Sequence, residues 1–142
     1  MGKKRIVKKG QTQEILKKGS TRKLSRKKLD VGILHVQSTF NNTKLQLTDL
    51  KGNLVVSSSS GALGFKGAKK GTPFAAAKAA EVLSEKAEMM GLKEVDVIVK
   101  GIGAGRESSI RSFISKGVNI RTIKDTTPVP HNGVKARKPR RV

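Results

Sequence analysis

Apolar and polar positions alternate or cluster along the chain in a way that outlines seven elements. Residues 31–37 (VGILHVQ) are mainly apolar and predict a largely buried strand, whereas residues 44–48 (KLQLT) alternate with the period of two that marks a strand with one wet face. Residues 49–53 (DLKGN) carry turn formers, and residues 54–58 (LVVSS) predict a third strand, so this region reads as an antiparallel meander. Thr72-Pro73 then supplies an N-cap followed by a proline at the first helical position. Ala76, Ala80, Leu83, Ala87 and Met90 recur at helical steps on one face, and Gly91 is placed to stop the helix. Residues 95–99 (VDVIV) predict a fourth strand. Residues 107–116 (ESSIRSFISK) predict a second helix with Ile110, Phe113 and Ile114 inward, and residues 118–123 (VNIRTI) a fifth strand. The order β-β-β-α-β-α-β makes the helices crossovers and the last two strands parallel, which defines an α/β domain with a mixed five-stranded sheet.

Charge divides this chain of 142 residues into a core and two arms. The net charge is +21, from 31 Lys+Arg against 10 Asp+Glu. Residues 1–29 hold twelve of the basic groups and a single acid, Glu14, and the last twelve residues hold Lys135, Arg137, Lys138, Arg140 and Arg141 with no acid. Three segments follow: a basic extension (1–29), a globular domain (30–124) and an extended basic tail (125–142). The arms have too few apolar residues to offset the entropy of ordering, so they are expected to be disordered until a polyanion orders them. Such a charge implies a nucleic acid or an anionic membrane as partner. No apolar run approaches the roughly 18 residues of a spanning helix, and no basic amphipathic helix carries Trp, which leaves nucleic acid. The N-terminus lacks the apolar stretch of a secretory signal, and it is too rich in Lys and Gly to resemble a transit peptide. Absence of cysteine excludes disulfides, thiolate nucleophiles and cysteine-ligated zinc.

Four stretches are candidates for contact with that partner. The loop Lys100-Gly101-Ile102-Gly103-Ala104-Gly105-Arg106 precedes a helix, and its glycines and positive dipole end suit phosphate. A dinucleotide fingerprint is the rival reading. The third glycine comes one residue early for it, the loop follows the fourth strand rather than the first, and no substrate domain is present, so neither a cofactor nor a small-molecule substrate is expected. Residues 57–70 (SSSSGALGFKGAKK) form a long connection that offers Phe65, Lys66, Lys69 and Lys70. In residues 38–43 (STFNNT), Asn41 and Asn42 either shape a turn or reach RNA edges while Phe40 packs or stacks; the sequence leaves both open. In the tail, Pro128 and Pro130 impose an extended course, and Asn132-Gly133 is a candidate for isoaspartate formation because glycine does not shield its backbone nitrogen.

Catalysis finds little footing. The strand order resembles that of ribonuclease-H-like folds, whose nucleases need convergent carboxylates for paired metals. Here the first strand has no acid, Asp49 falls in a turn, and Glu81, Glu85 and Glu88 space as helix-surface residues. Neither His35 nor His131 has companions suited to a metal site, and none is expected.

The strings Phe40-Asn41-Asn42-Thr43, Thr72-Pro73-Phe74-Ala75-Ala76, Val99-Lys100-Gly101, Gly105-Arg106-Glu107-Ser108, residues 125–133 (DTTPVPHNG) and the terminal Arg140-Arg141-Val142 occur in that order. Together they closely resemble the bacterial form of small ribosomal subunit protein eleven, over residues 31–142. The resemblance implies a truncated ribonuclease-H-like sheet of order 3-2-1-4-5 and a structural, non-enzymatic role on the subunit platform in the cytoplasm. The implied partners are small-subunit rRNA and neighbouring platform proteins, with messenger RNA nearby. It also directs attention to Thr43, Ser108, Arg111, Pro130, His131, Asn132 and Gly133 as further RNA contacts. The loop GIGAG departs from the family, which usually carries prolines at the intervening positions. A nucleoid-type DNA-binding protein is the main rival that the charge permits.

Overall fold

The computed structural model describes residues 28–141. The expectation of a disordered N-terminal arm falls, for residues 1–27, outside the described residues, as does Val142. Five strands, β1 (Val31–Ser38), β2 (Thr43–Thr48), β3 (Leu54–Ser59), β4 (Glu94–Lys100) and β5 (Asn119–Asp125), form one mixed sheet in the order β3-β2-β1-β4-β5. β1 is central, antiparallel to β2 and parallel to β4, and β4 is parallel to β5. The predicted strand count, connectivity and order all hold.

Two helices complete the domain, α1 (Pro73–Met89) and α2 (Gly105–Ile114), with a short 3₁₀ helix at Gly67–Gly71. Both crossovers, β3-α1-β4 and β4-α2-β5, advance across the sheet in the same direction. Right-handed connections of that kind must lie on the same side. Consistent with this, α1 and α2 pack against each other, α1 covers β2 and β3, and α2 covers β1. The core is the single layer between them: Leu34, Val36, Leu45, Leu47, Val95 and Val97 from the sheet meet Ala79, Ala80, Leu83, Ala87 and Phe113 from the helices.

β1 is largely buried, as its apolar run predicts, but unequally on its two faces. Its residues alternate between fully and partly buried, because the face opposite the helices is left open among the described residues. Ile33 and His35 are half-covered there by neighbouring strands alone.

The ends of α1 follow from its sequence. The Thr72 hydroxyl accepts from Ala75 N at 3.3 Å and Pro73 stands at the first position. At the other end Gly91 N donates to Glu88 O and Leu92 N to Ala87 O, while Gly91 takes a φ of 79°. That is the Schellman closure, completed by buried Leu92. The predicted alanine stripe is buried and is widened by Ala75, Ala79 and Ser84; Met90 is partly buried against the core.

α2 departs from expectation at both ends. It spans Gly105–Ile114 rather than residues 107–116, and of the three apolar residues on its inner side Phe113 is fully buried, Ile110 packs partly buried on the core and Ile114 is 42% exposed. The connection after β3 is also shorter than the sequence suggests, since the strand runs to Ser59 and the 3₁₀ helix occupies its end. At the start of the core, Leu29 packs on the hydrophobic cluster and donates to Met90 O at 3.1 Å.

Candidate nucleic-acid interface

The loop between β1 and β2 is closed by its own polar groups. Thr39 N donates to Asn42 O at 2.9 Å, and the Thr39 hydroxyl both donates to Asn42 O and accepts from Asn42 N at 3.1 Å. The Asn42 side chain accepts from Gly61 N at 3.2 Å, tying this loop to the turn after β3. Asn42 is therefore a brace as well as a turn residue. Asn41 is exposed, and Phe40, 74% exposed, projects from the loop without an aromatic neighbour among the described residues.

The glycine loop lies directly on this turn. A Cβ on Gly101 would fall on the carbonyl oxygen of Ser38, and one on Gly103 would meet Thr39 O and Ser38 Oγ. A Cβ on Gly105 would meet Thr43 Oγ1 and approach Ala76 Cβ to 2.6 Å. Gly103 N donates to Ser38 O at 3.0 Å. The close approach that the glycines permit here is thus between two loops of the protein. Lys100, Ile102 and Ala104 face outward.

Arg106 closes the same corner onto the tail. Its guanidinium donates to Gly101 O and, at 3.3 Å, to Thr127 Oγ1, and it pairs with Asp125 Oδ2 at 2.6 Å. The Thr127 hydroxyl donates to Asp125 Oδ1 at 2.6 Å and accepts from Gly101 N at 3.1 Å. Thr126 N donates to Val99 O at 2.9 Å, prolonging the strand direction. The Thr127 hydroxyl, Arg106 and the Thr127 backbone N–H together hold the Asp125 carboxyl well below the usual carboxylate range. Arg106, singled out from the sequence for phosphate, is in this arrangement the latch that fixes the root of the tail.

A third loop completes the cluster. The Cα of Gly71 sits against Phe40 O with no room for a Cβ, which seats the 3₁₀ helix beside the β1–β2 loop. Lys66 and Lys69 are exposed and Lys70 half-buried. Phe65 packs edge-on against Phe74 with ring centroids 6.1 Å apart, and Lys78 Nζ lies 5.8 Å from the Phe74 centroid. Phe74, 64% exposed, was not among the candidate contacts; its signal was an aromatic at the second position of a helix, off the alanine stripe. On α2, Ser108 donates to Gly105 O at 3.4 Å, and exposed Arg111 pairs with Glu107 one turn away. Both border a depression of about 310 Å³ between the two helix N-termini.

Beyond Thr127 the tail is extended and exposed, with a bend at His131 and Asn132, where Asn132 takes a φ of 55°. A Cβ on Gly133 would approach Pro130 Cβ to 2.8 Å, so the bend is tight. Among the described residues, Lys135, Arg137, Lys138, Arg140 and Arg141 form no ion pair.

Three of the four candidate stretches, and the root of the fourth, therefore meet at one end of the sheet, around the carboxyl ends of β1, β3, β4 and β5. Open α/β sheets characteristically place ligands at that end. Among the described residues no group of three or more His, Asp or Glu comes together to hold a metal ion, and no helix is long and apolar enough to cross a membrane. Fold and charge define an α/β domain with a mixed five-stranded sheet of order 3-2-1-4-5 whose strand ends and tail present cations. The family model described as Ribosomal protein S11 matches residues 32–141, most of the chain, and the chain belongs to that family. It is accordingly a structural protein of the small ribosomal subunit, used in translation.

Proposed function

We propose that this protein binds small-subunit rRNA through the loop cluster at the carboxyl ends of the strands and through its C-terminal tail, and so shapes the platform of the subunit near the messenger RNA exit. The observation that carries the proposal is the convergence of the loops at residues 38–43, 60–72 and 100–105 with the root of a tail whose cations have no carboxylate partners among the described residues. The contacts are Phe40, Asn41, Phe65, Lys66, Lys69, Lys70, Lys100, Ser108, Arg111 and the tail from Pro130 to Arg141. Thr43, the glycines and Arg106 hold the scaffold on which these project. The chain has only four aromatics, all Phe, and Phe113 is buried in the core, so phosphate, 2′-hydroxyl and shape contacts outweigh stacking. The role is architectural and not catalytic, exercised in cytoplasmic ribosomes beside other platform proteins.

The test is the salt dependence of rRNA binding measured by filter retention. Contact with roughly 6–10 phosphates gives a log–log slope of several units, each phosphate contributing about 0.7 to 0.9. A slope near zero, or duplex DNA held as tightly as rRNA at matched salt, defeats the proposal. Dinucleotides should give no heat on titration.

A further inference from the structure

Among the described residues, one face of the sheet carries no helix, and its side chains fall into ordered rows. Pairing puts Lys44 of β2 opposite Gln37 of β1, and Gln37 opposite Lys100 of β4, so the three stand side by side across the sheet. The adjacent row on the same face runs Gln46, His35, Ile98 and Lys124 from β2 to β5. Lys44, Gln37, Lys100, Gln46 and Lys124 are all exposed, and a depression of about 420 Å³ opens between the rows, lined by His35, Gln37, Gln46, Ile98, Lys100 and Thr126. Lys44 and Lys100 are two strands apart, roughly 10 Å at the usual strand spacing.

The face is polarised along the strands. Its acids, Glu94 and Asp96, lie toward the amino ends of the parallel strands, and Asp96 is bound by Arg121 and by Thr122, whose hydroxyl donates to it at 2.8 Å. The lysines lie toward the carboxyl ends, where Lys100 leads directly into the glycine loop. Among the described residues, the half of the bare face that adjoins the loop cluster thus carries three cations, two glutamines and no carboxylate.

We propose that this half of the open sheet face is a second RNA-docking surface, continuous with the loop cluster, on which a ribose–phosphate backbone lies across β2, β1 and β4. The lysines take phosphates, and Gln37, Gln46 and His35 offer donors and acceptors to 2′-hydroxyls. Charge selects this occupant. The chain's own N-terminal arm and a second copy of the chain both carry the same sign as the lysines and would be repelled. The inference rests on the rRNA-binding reading above and extends it from Lys100, which that reading already uses, across the open face to Lys44 and Lys124.

The experiment compares full-length wild type with the double variant Lys44→Glu/Lys124→Glu. The control is Lys51→Glu/Lys93→Glu, which makes the same change of net charge at the opposite end of the sheet. All are exposed, and thermal melts confirm that each variant folds. The first pair should lower affinity for small-subunit rRNA about tenfold or more and flatten the salt slope by about 1.5, as two lost phosphate contacts require. The control should do distinctly less. Equal losses in the two pairs, or no loss from the first while wild type binds, overturns the inference and leaves the loop cluster standing. Failure of wild type to bind at all overturns the underlying reading instead. A photocrosslinker on Gln46→Cys in assembled subunits should attach to rRNA; attachment to a ribosomal protein or to the chain's own arm counts against the proposal.

Discussion

Asp125 receives three hydrogen bonds from two residues, the hydroxyl and N–H of Thr127 on one oxygen and the guanidinium of Arg106 on the other. Donors aimed at a carboxylate favour its charged form. A depressed pKa contributes stability that is fully present above the unfolded value, about 3.9, and is lost only as pH falls through the lower folded value. The root of the tail should therefore stay latched at pH 4, where ordinary exposed carboxylates are half protonated. A carboxyl-carbon NMR titration of Asp125 with a midpoint near 3.9 would show that the latch does not form. Arg106→Ala should weaken rRNA binding without unfolding the core, because it releases the tail root and not because a phosphate loses its ligand. Arg106→Lys should rescue little, since an ammonium cannot span Gly101 O, Thr127 and Asp125 at once. Filter binding alongside circular dichroism checks both, and unchanged affinity in Arg106→Ala removes this corner from the site. At Asn132, attack of the Gly133 nitrogen on the side-chain carbonyl would expel ammonia, and hydrolysis of the resulting succinimide would give isoaspartate. Peptide mapping that returns only Asn at this position rules that out. The sequence indicated the chemistry of these residues but not their direction. Whether a cation faces a phosphate or a nearby carboxylate is decided by tertiary geometry that spacing does not encode.

Helices and strands were more legible than loops because their signals are periodic. The alanine stripe of α1, its Thr72-Pro73 start and its Gly91 stop were all readable, since each reports a local backbone requirement. The start of α2 was not. Gly105 looks like loop, yet it is the first residue of α2, and it is glycine because only a residue without a side chain fits between Thr43 and Ala76. Replacing it with Ala should cost about 1–3 kcal/mol by overpacking, even though alanine is the better helix former. In a domain of this size a loss near 1 kcal/mol lowers the melting temperature by roughly 4–8 °C. A Gly105→Ala protein that melts with or above wild type would mean that α2 can draw away from Thr43 and Ala76 at no cost. The open face of β1 was hidden for a related reason. Ile33 and Ile98 are apolar on the uncovered side, so the apolar pattern does not tell the two faces apart, and only the common direction of the two crossovers reveals which face is bare.

The whole molecule carries two opposed responses to salt. Among the described residues, ion pairs join Lys78 to Glu81, Arg106 to Asp125, Arg111 to Glu107 and Arg121 to Asp96, and exposed pairs of this kind contribute little. Against them stands the repulsion of a chain at +21, which is stronger when the core is compact than when the chain is expanded. Raising ionic strength from about 0.01 M to 0.15 M shortens the screening length from about 30 Å to about 8 Å, which relieves that repulsion. The melting temperature of the free protein should therefore rise over the interval in which its affinity for rRNA falls. Removing residues 131–142 deletes five cations and should flatten both trends together, because the same unpaired charge drives repulsion in the free state and attraction in the bound one. A melting temperature that falls with added salt would mean that internal ion pairs outweigh self-repulsion. In that case the cations would serve the fold, and the charge could no longer be read as waiting for a polyanion.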